Sequence, residues 1–138
     1  MLPSICCALQ SANGEDSEPK YIRWYDRFIK DLFLKGKDCY KLRCSLLHQG
    51  KTKHKNLSFS GFRFSYPSKK LDLHNNNFGG DINLNIVYFC ENMLTGVNKW
   101  LNEMENNSNY KANIQGIIKT HRDGFGDFIK GIRIPAIY

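Results

Sequence analysis

Arg43 and His48 are the two side chains whose types and spacing could do phosphate chemistry. Histidine titrates near neutrality and can pass a proton, while a guanidinium presents a planar fork of donors that matches two phosphate oxygens. Directly downstream runs Lys51-Thr52-Lys53-His54-Lys55, so a polyanion reaching the pair would meet Lys51, Lys53, His54 and Lys55 as positioning contacts. Geometry limits the pair. Residues five apart on an α-helix are turned by roughly 140° about its axis, so the two side chains leave different faces of one straight helix. They meet only if the last turn departs from helical geometry, or if two copies of the helix cross in an isologous dimer that builds a composite site. A reading without chemistry also fits. Arg43 would then pair with a carboxylate such as Asp38 or Glu91, and His48 and Gln49 would finish a helix whose C-terminal dipole favours a cation.

The element that must position these residues is a short helix over residues 38–50. Asp38 could cap its N-terminal amides, Leu42, Leu46 and Leu47 supply an apolar stripe, and Gly50 suits a left-handed C-cap. Upstream, from Ser17 with Pro19 in the first turn, Ile22, Tyr25, Phe28, Ile29, Leu32 and Phe33 recur at helical spacing up to Gly36. The tight Gly36-Lys37 connection makes the two helices an antiparallel pair. The polar face of the first carries Lys20, Arg23, Arg27, Lys30 and Lys35, a solvated face in the simplest reading. Residues 2–10 predict a further short helix, marginal unless it docks on the core.

After the basic run the period changes. Leu57, Phe59 and Gly61, then Phe62, Phe64 and Tyr66, alternate with polar neighbours, which predicts a bent strand or small hairpin with a phase slip near Gly61. Residues 71–74 would be the partner strand and residues 75–80 a loop. Asp81 then caps a long helix in which Ile86, Phe89, Cys90, Met93, Val97, Trp100, Leu101 and Met104 keep a 3.6-residue stripe. Tyr110, Ile114, Ile117 and Ile118 predict one more helix, followed by an irregular tail over residues 121–138. The expected fold is mainly α: a single domain over residues 1–138, a bundle of about four helices with a small β-hairpin insertion.

Bulk properties agree with one folded domain. The 138 residues are 41% hydrophobic, enough to form a core, and 20 Lys and Arg against 13 Asp and Glu leave a net charge of +7, which favours polyanionic partners. The five cysteines, Cys6, Cys7, Cys39, Cys44 and Cys90, form no C-x-x-C pair, which argues against a disulfide framework or structural zinc and for reduced thiols in a cytoplasmic setting. Cys39, Cys44 and Cys90 are expected as small core residues. No apolar run reaches the roughly 20 residues of a membrane span. His54, His74 and His121 stand on separate segments without carboxylates at ligand spacing, so neither metal nor cofactor is expected. Trp24 and Trp100 are expected as core anchors.

Arg43-Cys44-Ser45-Leu46-Leu47-His48 resembles the motif of the HEPN superfamily, an arginine followed after four to six residues by a histidine. The longer run through Gly50 also looks like a group of bacterial proteins. The motif spans about a dozen residues, and the remainder of the likeness is helix order. What the resemblance implies is an HEPN-like helical domain that pairs as a homodimer and cleaves RNA without a metal. The ribose 2′-hydroxyl would attack the adjacent phosphorus, His48 would transfer the proton, and Arg43 would stabilise the charge on the phosphate oxygens. By the same analogy the setting would be toxin or defence systems, with an antitoxin-like partner chain. Catalytic members commonly carry Asn, Asp or His directly after the arginine; here that position is Cys44. A non-catalytic dimeric module that binds nucleic acid or another protein is the competing expectation.

Overall fold

The computed structural model describes residues 1–31, 33–54, 57–69 and 71–117, and the backbone of residues 120–121 and 136–137. Five α-helices lie among them: α1 (Leu2–Gln10), α2 (Glu18–Phe28), α3 (Gly36–Gln49), α4 (Ile86–Glu103) and α5 (Ser108–Asn113). Strands β1 (Gly61–Ser65), β2 (Asn76–Phe78) and β3 (Asp81–Asn85) form a sheet in the order β1-β3-β2 between α3 and α4. A short pair, β4 (Thr120–His121) and β5 (Ala136–Ile137), runs antiparallel. The chain is therefore mainly α, with five helices among the described residues where a bundle of about four was expected.

α2 and α3 pack antiparallel, as the contacts along them show. Glu18 pairs with Lys41 at 2.9 Å, Tyr21 Oη lies 3.3 Å from Cys39 Sγ, and the Gly36 amide donates to Asp26 Oδ1 at 2.8 Å. α2 stops at Phe28, well short of the expected Gly36. Asp31 explains the difference, because its carboxylate accepts the amides of Phe33 and Leu34 at 2.8 and 2.9 Å and folds a turn in place of more helix. That turn sends Leu34 into the core and leaves Phe33 exposed. The saved residues start α3 at Gly36, so Asp38 sits inside the first turn rather than at the cap. Buried there, its carboxylate accepts the Ser58 amide at 2.8 Å and ties the approach to β1 onto the helix.

The sheet differs from the expected hairpin. β1 pairs in parallel with β3, in the register Gly61↔Asp81 through Ser65↔Asn85, while β2 and β3 form the hairpin across Gly79 and Gly80. Both glycines have positive φ, 60° and 89°, which suits a two-residue hairpin turn whose twist matches the strands. Residues 71–74 are not a strand; their polar groups serve β3 instead. Asn83 Nδ2 donates to Leu73 O at 2.9 Å and to Ser65 Oγ at 2.8 Å, and the Asn85 amide donates to His74 Nδ1 at 3.1 Å. Asp81 is likewise no helix cap. It pairs with Arg63 at 3.0 Å, and the capping role falls to Asn85, whose side chain accepts the Val87 amide at 3.1 Å.

The core gathers Trp24, Tyr21 and Tyr25 of α2, Leu34, Ile82 and Leu84 of β3, and Met93 and Trp100 of α4. Both tryptophans are core anchors, as expected. α1 docks rather than standing alone: Trp100 Nε1 donates to Gln10 Oε1 at 2.7 Å, and Asn113 Nδ2 closes the end of α1 on Leu9 O and Ser11 O at 3.0 and 2.8 Å.

Two outcomes follow from this packing. A Cβ at Gly36 would stand 2.7 Å from the backbone oxygen of Ile22, which cannot rotate aside, so Gly36→Ala should destabilise the fold by about 1–3 kcal/mol in urea unfolding. Burial also raises the thiols of Cys6, Cys7 and Cys39 to about 12 and pushes the Tyr21 and Tyr25 phenols up. These groups keep their protons in the folded chain while the unfolded chain releases them, so stability should hold below about pH 9 and fall as pH rises beyond it. Thermal unfolding midpoints between pH 7 and 11 measure that decline; a flat profile would contradict it.

Candidate functional site

α3 presents its residues differently from the stripe expected of Leu42, Leu46 and Leu47. Its buried side is Asp38, Cys39, Leu42 and Ser45, while Leu46 and Leu47 remain 40% and 50% exposed. The reason lies at the first turn, where Gly36 and Cys39 approach α2 and set the rotation of the whole helix.

Arg43 consequently stands half-buried at the edge of the core. Its guanidinium carbon lies 5.8 Å from the centre of the Tyr40 ring, and Nη1 is 3.8 Å from Cys44 Sγ. Its Nε is shut away from solvent and has no hydrogen-bond partner among the described residues. A buried donor left unpaired costs roughly 1–3 kcal/mol, so the guanidinium is held here without full satisfaction. The ion pair with Asp38 or Glu91 is absent among the described residues. Asp38 is engaged with Ser58 instead.

His48 lies exposed in the last turn of α3. That turn does not break. The Gly50 amide donates to Leu46 O at 3.1 Å and the Lys51 amide to Ser45 O at 3.2 Å, with Gly50 left-handed at φ 61°, the C-cap its sequence position suggests. Arg43 and His48 therefore point to different sides of one regular helix, and a single chain does not bring them together.

Past the cap, Lys51 and Lys53 are exposed, His54 is half-buried, and Lys55 lies outside the described residues. The loop runs along the outer edge of β1, where the Phe62 amide donates to Thr52 O at 3.0 Å. Lys51 follows the Gly50 cap directly, and the Lys53 side chain lies beside Gly61 of β1. His74 is a structural histidine, accepting from Asn85 and meeting the Tyr88 ring edge-on at 5.6 Å; the side chain of His121 lies outside the described residues. Among the described residues no group of three His, Cys, Asp or Glu could hold a metal ion, and no helix is long and apolar enough to cross a membrane.

Arg43 lines a groove of about 590 Å³ between α1, α3, β1 and α4. Pro3, Leu42, Leu46, Phe64, Phe89 and Met93 are among its walls, and Arg43 is the one charged side chain among the described residues that line it. Phe64 of β1 and Phe89 of α4 meet edge-to-face at 6.2 Å. The groove leaves only a faint signal in the sequence. Residues 86–94 are apolar on more sides than one buried stripe uses, and Val87, Tyr88 and Leu94 remain exposed.

Of the cysteines expected in the core, Cys39 is there, while Cys44 and Cys90 are not. Cys6, Cys7 and Cys39 are buried, Cys44 is half-buried, and Cys90 is exposed on the groove wall. No family model, curated protein or solved structure matches the chain.

A thiol near 12 is ionised to only about one part in ten thousand at pH 8, so Cys6, Cys7 and Cys39 should resist a disulfide reagent until the chain unfolds. Cys90 should react first. Mass mapping of alkylated peptides after a short native pulse tests the order; early labelling of Cys39 would show that the α2–α3 contact opens.

Proposed function

We propose that the chain is an RNA-directed module of HEPN type that acts as a homodimer, with Arg43 of one copy and His48 of the other addressing one phosphate. The observation that carries this reading is the display on α3: an exposed histidine follows two exposed leucines on the helix that also holds an under-partnered arginine. Leu46 and Leu47 give a second copy apolar surface to cover, and an isologous contact there repeats the same helix across the two-fold axis. Lys51 and Lys53 add the positive charge that draws and orients a polyanion.

In such a site the ribose 2′-hydroxyl attacks its own phosphorus and the bond to the next ribose 5′-oxygen breaks. The products are a 2′,3′-cyclic phosphate and a 5′-hydroxyl. His48 moves the proton, Arg43 holds the non-bridging oxygens, and no metal is needed. A second reading has its own support. Cys44 follows the arginine, and the guanidinium lies against apolar wall and the Tyr40 ring, an arrangement that suits a non-catalytic dimer binding nucleic acid or protein.

Mixing two inactive variants separates these readings. In chelator, the wild type should cut single-stranded RNA, while Arg43→Ala and His48→Ala each lose at least about a hundredfold in rate. Equimolar Arg43→Ala and His48→Ala, exchanged into mixed dimers, should recover about a quarter of wild-type activity, because half the dimers are mixed and each rebuilds one of two sites. No recovery would place both residues within one chain's site. No cleavage by the wild type, with salt-sensitive RNA retention, would leave the binding module.

A further inference from the structure

We propose that the groove between α1, α3, β1 and α4 binds an amphipathic anion, an acyl or aryl body ending in one carboxylate or phosphate, with Arg43 as the head-group anchor. Binding rests on the groove alone, whereas its effect on RNA rests on the proposed RNA reaction.

Its volume of about 590 Å³ lies within the range of small-molecule sites, and its composition matches theirs: apolar walls with one well-placed polar group. Leu42, Phe64, Phe89 and Met93 offer an apolar body close packing and offer almost nothing to hydrogen-bond. A sugar-phosphate backbone would leave those walls uncovered and its own hydroxyls unpaired. The charge sets the other half of the ligand. Among the described residues Arg43 is the one charged side chain on the lining, its Nε is buried without a partner, and its Nη1 has a thiol sulfur at 3.8 Å. A carboxylate or phosphate gives a guanidinium the bidentate contact that no described residue supplies.

Leu46 and Leu47, the apolar surface open to a second copy, also line this groove, so ligand and dimer contact share that edge. Both functions draw on Arg43, so a seated ligand withdraws the guanidinium from any phosphate presented to it. The ligand would then act as an inhibitor of the RNA reaction.

Isothermal titration of the full chain tests the site with decanoate, decyl phosphate, decanol, acetate and inorganic phosphate, all below micelle-forming concentrations. Decanoate or decyl phosphate should bind at least ten times more tightly than decanol and than the tailless anions, and whichever binds more tightly identifies the head group. Arg43→Met should erase the preference for decanoate over decanol while keeping the alcohol's affinity. Cys90→Phe, which adds bulk at an exposed wall position, should weaken decanoate and decanol alike by about tenfold with the thermal midpoint unchanged. Equal affinity for decanoate and decanol in the wild type, or affinities untouched by Cys90→Phe, would overturn the proposal. Decanoate binding without RNA cleavage leaves it standing; cleavage without decanoate binding removes it.

Discussion

The close approach of α3 to α2 at Gly36 governs everything that follows it in the chain. With no side chain there, the first turn of α3 rests on the backbone of Ile22, and its amide reaches the Asp26 carboxylate. Once that contact is made, the rotation of α3 is fixed by 3.6-residue periodicity. Cys39, Leu42 and Ser45 must face inward, Leu46 to His48 must face out, and Arg43 falls on the boundary between the two. A helix turned by one residue would bury Arg43 completely or release it to water, and either would remove the half-desolvated guanidinium that makes this surface unusual.

A second constraint holds the other wall. β3 is buried along Ile82–Asn85, so its two asparagines must find partners inside the protein. Asn83 takes Ser65 and Leu73, and Asn85 takes His74 and the first turn of α4. These bonds lock the crossover between β1 and β3 and aim the start of α4. Phe64 and Phe89 meet as a result, and the groove acquires its aromatic side.

What could be read from the sequence follows the range of the forces involved. α1, the core of α2, the Gly50 cap and the tryptophan anchors rest on periodicity or local backbone preference, and those signals lie within a few residues of each other. The early end of α2 was hidden because Asp31 acts through a side-chain turn that a helical apolar pattern masks. β3 was hidden for a different reason. Its alternation of Ile82 and Leu84 with Asn83 and Asn85 resembles a capped helix start, since asparagine in a central strand makes sense only when distant partners are known. The candidate site divides along the same line. Arg43 and His48 stand out by residue type, the basic loop by composition, and the groove only through contacts between β1, α3 and α4.

The half-buried state of Arg43 bears on both uses of the site. Pairing a guanidinium with an anion is weak in open water and grows as solvent is excluded. Arg43 already forgoes part of its hydration and lacks a carboxylate partner, so an arriving anion gains attraction without first displacing an internal salt bridge. The selectivity must come from what surrounds the anion. In the proposed uses, an apolar body would gain by covering Leu42, Phe89 and Met93, and a phosphodiester by meeting Lys51 and Lys53. Arg43 would then distinguish its ligands by their bodies rather than by their charge.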